Sequence, residues 1–427
     1  MFKEGLSDNI LRRIKKIIPR SVFDFFAPVY HAALAYIGAV IYGFPSRSMK
    51  VIGVTGTKGK STTVFLITKI LEEVGEPVAT IGSLGFKIRN KEWPNTLKMT
   101  MPGRFKLQKF LAEAKRAGCK FVVLEVTSEG IKQKRHLGIK FDCAVFTNLH
   151  KEHIESHGSF ENYYKAKQEL FAITKNTHVL NSDDPHLKLF GGFPAKRKIF
   201  FGISAGDMRA SNIKIKSEGA SFEIYGTPFT TKLSGQFNIL NCLAALSVGA
   251  MYGIDLPKMK PVLESIEFIP GRMEFIQRKP FSVVIDYAHT PDSLKAVYKT
   301  LREQTANGCK LICVLGAAGG GRDKWKRPEF GRIASEYCDE IILTNEDPYE
   351  EDPNQILSEI KSGIINYQSS IINILDRREA IRTALTSAKE GDMVIITGKG
   401  SETSMAVAGG KKIPWSDRDV VRELLNN

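Results

Sequence analysis

A short apolar strand running through a glycine–lysine loop straight into a helix constrains this chain more than any other stretch. Val51 to Val54 reads as the strand, Thr55-Gly56-Thr57-Lys58-Gly59-Lys60-Ser61-Thr62 as the loop, and Thr62 to Val74 as a helix stopped at Gly75. That order makes a phosphate cradle. Glycines let backbone amides close around phosphate oxygens, and the helix N-terminus adds positive potential. Lys60 offsets β/γ-phosphate charge, and a hydroxyl at Ser61 or Thr62 suits Mg²⁺. The loop is shorter than Gly-x4-Gly-Lys-Ser/Thr, because Val54 stands five residues before Gly59.

Around the loop, β-branched runs alternate with amphipathic helices, which predicts a parallel sheet covered on both faces. Further strands are expected at Phe121 to Val126, Cys143 to Thr147 and Val179 to Asn181, with helices near Leu107 to Ala117 and Phe160 to Phe171. Residues 205 to 233 alternate as a small antiparallel excursion before a helix from Asn238 to Met251. Asp255 to Arg272, with Pro257, Pro261, Pro270 and Gly271, reads as a linker. A second series of strands follows at 282–286, 311–315, 340–344, 371–375 and 393–397. The expected class is α/β: a central P-loop ATPase-type parallel sheet domain (49–268), a C-terminal Rossmann-like α/β domain (269–427) and a short helical N-terminal segment (1–48).

A chain of 427 residues suits such a division. Its formal charge of +15 favours anionic small molecules or lipid, and no nucleic-acid motif accompanies it. Gly316 to Arg327 is glycine-rich without the Gly-x-Gly-x-x-Gly that opens a dinucleotide-binding helix. The six cysteines form no Cys-x-x-Cys pair and read as reduced thiols of a cytoplasmic protein. Near the start, Arg12, Arg13, Lys15, Lys16 and Arg20 precede the apolar run Phe25 to Phe44. Pro28, His31 and Gly38 make that run a poor membrane span, so a helix docked on its own protein is expected first, a lipid-contacting helix second and a transmembrane helix last. Peripheral membrane contact through residues 12–44 is the corresponding expectation, with the protein otherwise a monomer.

Beyond the loop, several motifs together resemble the Mur ligase superfamily, ATP-dependent amide-bond formers. Leu124-Glu125-Val126-Thr127-Ser128 is similar to its Glu-Val-Ser-Ser stretch, and Thr147-Asn148-Leu149-His150-Lys151-Glu152-His153-Ile154-Glu155 to its Thr-Asn-Leu-x-x-Asp-His-Leu-Asp. The resemblance implies Ser61, Glu125, His153 and Lys167 as Mg²⁺ ligands, with Asn148 at the phosphates. Lys167 enters through Tyr164 to Phe171, which resembles the helix whose lysine is carbamylated. Gly235-Gln236-Phe237-Asn238-Ile239-Leu240-Asn241 resembles the adenine-contacting segment, where Asn238 and Asn241 could instead cap the following helix. Pro270-Gly271-Arg272-Met273-Glu274 resembles the entry to the third domain, with Arg272 reaching ATP phosphates. Asp286-Tyr287-Ala288-His289-Thr290-Pro291 and Gly319-Gly320-Gly321-Arg322-Asp323 with Lys326-Arg327-Pro328 complete the set, implying nucleotide roles for Asp286, His289 and Lys326.

These last motifs most resemble the branch that adds the third residue of the peptidoglycan stem peptide. The expected function is therefore ATP-dependent carboxylate–amine ligation through an acyl phosphate, joining an amino acid to a muramyl-peptide-like acceptor, with Lys60, His153, carbamylated Lys167 and Arg272 catalytic. The implied nucleotide-binding set is Gly56, Thr57, Lys58, Gly59, Lys60, Ser61 and Thr62 with the residues named above. Substrate contacts are expected from Thr100, Arg104, Ser128, Arg322, Asp347, Tyr349, Gly398 and Glu402. Two positions depart from the branch pattern: Glu346-Asp347-Pro348-Tyr349 stands for Asp-Asn-Pro-Arg, and Gly398-Lys399-Gly400-Ser401-Glu402 for Gly-Lys-Gly-His-Glu. The amino acid is left open. So is the acceptor, because 48 residues are too few for the branch's UDP-binding module. The alternatives are a folylpolyglutamate-synthase-like ligase, a P-loop ATPase acting on a partner or lipid-linked substrate, and a silent membrane-docked scaffold.

Overall fold

The computed structural model describes residues 20–426 apart from 96, 98, 153, 217 and 366–368, with side chains from residue 26 onward. His153 and the basic residues 12–16 thus lie outside the described residues.

The phosphate-loop strand sits mid-sheet, which explains why it is apolar on both faces. The central domain contains β1 (Lys50–Thr55), β2 (Val78–Gly82), β3 (Gly85–Ile88), β4 (Lys91–Trp93), β5 (Phe121–Glu125), β6 (Phe141–Phe146), β7 (Thr177–Asn181), β8 (Arg197–Gly202) and β9 (Met208–Arg209). They form one sheet in the order β4-β3-β2-β5-β1-β6-β7-β8-β9. From β2 to β9 the pairs are parallel; β3 and β4 add an antiparallel edge. Alternate β1 side chains feed different cores, as the period of two requires. Ile52 and Val54 pack with the helices Lys60–Glu73 and Gln236–Met251, while Val51 joins Arg104–Arg116 and Phe160–Ile173 on the other face.

The antiparallel excursion is β10 (Ser211–Lys216), β11 (Gly219–Ile224) and β12 (Thr227–Thr231), a separate three-stranded sheet. The stretch read as a linker is not extended throughout. Leu256–Ser265 is a helix, with Pro257 in its first turn, where the missing N–H costs nothing, and Met259, Val262 and Leu263 buried. Only the turn after it carries the chain onward.

The C-terminal sheet comprises β13 (Glu274–Gln277), β14 (Ser282–Asp286), β15 (Leu311–Leu315), β16 (Glu340–Leu343), β17 (Ser370–Asn373) and β18 (Met393–Thr397), ordered β13-β14-β18-β15-β16-β17. All but β13 run parallel. The carboxyl ends of β14, β15, β16 and β18 therefore point the same way, releasing the segments at 286–291, 316–327, 344–349 and 398–402 on one side of the sheet. Ligands in such sheets bind on that side. A hairpin, β19 (Ser404–Val407) with β20 (Lys411–Pro414), follows β18.

The helix Arg20–Ile41 lies against Arg104–Arg116. Its inward residues are small: a Cβ on Gly38 would stand 3.6 Å from Phe105 and Gln108, and one on Gly138 would meet Ala39 at 2.7 Å. Among the described residues no helix is long and apolar enough to cross a membrane. All six cysteines are free thiols, and every one but Cys309 is buried.

Candidate active site

Both domains contribute to one cleft of about 990 Å³, lined by the loop 57–62, the ends of β5 and β6, and residues 286–289 of the C-terminal domain. The loop's shape is fixed from outside. Gly59 has φ +77°, and a Cβ there would lie 2.3 Å from Asn241 Oδ1, so only glycine lets Asn241 approach. Asn241 is held in turn, its Nδ2 donating to Asn238 Oδ1 at 3.2 Å while Asn238 Nδ2 donates to the Ser234 carbonyl at 2.8 Å. Neither amide caps the helix that begins at Gln236, whose N-cap Gly235 receives no side-chain bond. Asn148 Oδ1 accepts the Lys58 N–H at 2.8 Å, and its own backbone carbonyl accepts that of Thr57 at 2.9 Å.

Positive charge accumulates beside this loop. Lys60 Nζ donates to the Thr57 carbonyl at 2.9 Å, and burial pulls its pKa below the ordinary lysine value. Lys58 Nζ donates to Glu152 Oε2 at 2.7 Å, yet desolvation outweighs that partner and lowers Lys58 to about 8. Arg272, from the C-terminal domain, stacks 4.3 Å over the Tyr287 ring and brings Nη2 to 3.4 Å from Ser61 Oγ. Ser61 Oγ also donates to Glu125 Oε1 at 3.1 Å, and Ser83 donates to Oε2 through N–H and hydroxyl at 2.8 and 3.0 Å. A serine hydroxyl and a carboxylate are hard oxygen donors, the set that Mg²⁺ shares with phosphates and water. The residues present fit that ion. Ser83 was not singled out in the sequence, because nothing local marks its contact with a strand 42 residues away.

Across the domain junction, Glu152 is the hinge of the charge network. Its second oxygen accepts from Lys326 Nζ, so one central-domain carboxylate joins cations from both domains. Asp323 Oδ1 accepts the Glu155 N–H at 3.1 Å, and Glu155 Oε1 accepts the Lys324 N–H at 3.1 Å. Lys326 thereby closes the junction rather than lining the cleft. Asp286 uses both oxygens on backbone amides, Met273 and Ala288, each at 2.7 Å, and burial still raises its pKa. His289 donates Nδ1–H to the Tyr287 carbonyl at 2.7 Å, and burial holds its pKa well below the usual value, leaving it neutral.

Lys167 is buried behind the loop. Its Nζ donates to the Gly56 carbonyl at 2.7 Å and lies 4.6 Å from the Tyr163 ring. Desolvation first, then neighbouring Lys60, drives its pKa far down. It is thus a buried amine biased toward its neutral form.

On the far side, Arg322, Asp347, Tyr349, Ser401 and Glu402 line the cleft. Fully buried Lys399 donates to Asp347 Oδ1 at 3.0 Å and Glu402 Oε2 at 2.5 Å, and Tyr287 OH donates to the other Glu402 oxygen at 3.2 Å. Gly398 lies behind this wall at φ +105°, where a Cβ would stand 2.6 Å from Glu346 Oε2. Burial raises Glu346 to about 7.

At the other end, Thr100 and Ser128 line the cleft, but Arg104 does not. Arg104 starts the helix Arg104–Arg116 and gives its guanidinium to the Gln133 carbonyl. The arginine on the cleft is Arg135, which donates to the Met101 carbonyl and, at 2.7 Å, to Gln133 Oε1. Sequence reading missed it because Lys134-Arg135-His136 looks like an ordinary basic run.

Residues 54–249 match the Mur ligase middle domain and residues 271–400 the Mur ligase glutamate ligase domain. The chain is 38% identical over 413 residues to the UDP-N-acetylmuramoyl-L-alanyl-D-glutamate–2,6-diaminopimelate ligase of Thermosynechococcus vestitus, covering 93% of this chain and 81% of that protein. This chain belongs to the Mur ligase family. A UDP-N-acetylmuramyl-tripeptide synthetase of a Roseiflexus species is 36% identical over 425 residues, with 93% and 82% covered. A solved UDP-N-acetylmuramoyl-L-alanyl-D-glutamate–2,6-diaminopimelate ligase shares 32% identity at a TM-score of 0.61, over 88% of this chain and 78% of that one. Like other Mur ligases, the protein is an ATP-dependent, ADP-forming ligase. The phosphate loop, its asparagines and the Arg272 entry segment fall in the matched regions.

Proposed function

We propose that this Mur ligase adds one amino acid to the carboxylate of a muramyl-peptide-like acceptor. The observation that carries the reading is the meeting of Lys60 and Ser61 of the central domain with Arg272 of the C-terminal domain at one point of the cleft, a cluster suited to hold a γ-phosphate in transfer. The acceptor carboxylate attacks the γ-phosphorus, ADP leaves, and the amine then displaces phosphate from the acyl phosphate, losing its proton. Lys58, Lys60 and Arg272 offset the charge that grows on the phosphoryl oxygens. Ser61 and Glu125 would hold Mg²⁺, which when bound would supply further neutralisation. The acceptor lies toward Thr100, Ser128 and Arg135, and the amino acid toward Arg322, Tyr349 and Glu402, so the two approach the phosphates from opposite ends.

Lys167 is proposed to be carbamylated. A neutral buried amine is the form that attacks CO₂, forming a C–N bond and releasing a proton, and the product anion would relieve the crowding of Lys58, Lys60 and Lys167. Only as that carbamate is Lys167 a metal ligand.

The test is mass spectrometry of reactions with ATP, UDP-linked or lipid-linked muramyl peptides and a panel of amino acids. A product heavier by one residue, with ADP and phosphate in equal amounts, is expected. ADP formation that never depends on an amino acid would overturn the reading.

A further inference from the structure

We propose that the outward face of the helix Arg20–Ile41 docks on an anionic bilayer surface, an interaction separate from the ligase reading and independent of it. The outward residues Phe26, Val29, Tyr36, Ile37, Val40 and Ile41 recur at three- and four-residue spacing, which places them on one face. Val29 is 70% exposed, Val40 62% and Ile41 63%. Surface helices normally turn charged side chains outward, yet no Asp, Glu, Lys or Arg occurs from Phe26 to Phe44. The inward side is already occupied, by Ala35 and Ala39, which are buried, and by Gly38 against Phe105 and Gln108. Phe105 is itself exposed and carries the apolar surface onto the neighbouring helix.

The charge around this patch selects lipid over a second copy of the chain. Arg12, Arg13, Lys15, Lys16 and Arg20 precede it in the sequence. Arg47 follows it, and Lys109 and Arg116 lie exposed along the Phe105 helix. Two copies meeting face to face would crowd the exposed Arg47, Lys109 and Arg116 of each, whereas anionic headgroups pair with them. An apolar stripe bounded by basic residues, on a helix unable to cross a membrane, suits insertion at the headgroup boundary.

Co-sedimentation of the full chain with phosphatidylcholine vesicles, with and without about 30% phosphatidylglycerol, tests this. Each basic side chain near such a surface is worth about fivefold in partitioning. Anionic vesicles should therefore bind at least about tenfold better than neutral ones, and the binding should fall at least about tenfold between 0.1 and 0.5 M salt. The double variant Ile37→Glu/Val40→Glu should lose binding by about tenfold or more, with circular dichroism and ADP formation unchanged. Negligible binding to both vesicle types, binding indifferent to salt, or binding untouched by the double variant would overturn the proposal. So would a dimer, seen by sedimentation velocity and abolished by the double variant, in the absence of vesicle binding.

Discussion

Nucleotide binding should take up protons, and Lys58 sets the least number. In the free enzyme desolvation holds Lys58 at about 8, against 10.5 for an ordinary lysine. A polyphosphate beside it favours the charged form and carries the pKa back toward that ordinary value. At about pH 8 the free enzyme then has roughly half a proton on Lys58 and the complex nearly one; at about pH 9 the uptake approaches roughly 0.9. Because the complex binds the extra proton, affinity falls as pH rises. Between about pH 7 and 9 the loss is about tenfold, or about 1.4 kcal/mol. Lys60 is depressed in the same direction, so this is a lower bound. Calorimetry of ADP binding in buffers of different ionisation enthalpy reads the uptake directly, above about pH 7.5, where phosphate has lost its last proton. Lys58→Arg keeps its charge throughout and should flatten the pH dependence. Heats independent of buffer, or a Lys58→Arg profile as steep as the wild type, would refute the reasoning.

Other expectations follow from neighbouring contacts. Lys60→Ala should lower kcat/KM by about 10²-fold or more with an unchanged melting curve, and near-normal ADP formation would remove Lys60 from the phosphoryl site. Lys167→Ala should be inactive but partly rescued by short carboxylates, and ¹³C-bicarbonate should label the wild-type enzyme as a carbamate by NMR; absence of both rescue and label would count against modification. Glu152→Gln leaves Lys58 and Lys326 facing each other without their shared anion, a loss of about 3–5 kcal/mol for a buried pair. Small-angle scattering should then show an opened domain arrangement, and a scattering profile identical to the wild type would show that Glu152 does not hold the junction.

The phosphate loop was legible in the sequence because all its parts are local: a strand, glycines at the turn, a lysine and a hydroxyl at the helix start. So were both α/β domains, whose strands are continuous apolar runs. β2, β3, β4, β8, β9 and β13 were not: β3 alternates over only four residues, β4 and β9 are shorter still, and β2, β8 and β13 mix polar residues or glycine into their apolar runs. Nor was the helix at 256–265, where Pro257 and Pro261 resemble a linker until Met259, Val262 and Leu263 are seen to be buried. Motif reading drew together Lys58, Lys60, Ser61, Glu125, Asn148 and Arg272, which the fold does bring to one cleft.

What the chain determines by itself is the chemistry available: which oxygens, amines and guanidinium groups exist, and in which local turns. The tertiary structure alone decides which of them face one another and how much water remains between them. Arg104 and Arg135 carry the same group, but a helix start turns one onto the Gln133 carbonyl while the other reaches the cleft. Lys58 and Lys167 are ordinary lysines in sequence; only burial beside other cations depresses their pKa values. Glu152 becomes the anion between two domains because folding places Lys326, 174 residues onward, against it. Sequence spacing cannot encode such contacts, since desolvation and charge pairing depend on through-space distance rather than position along the chain.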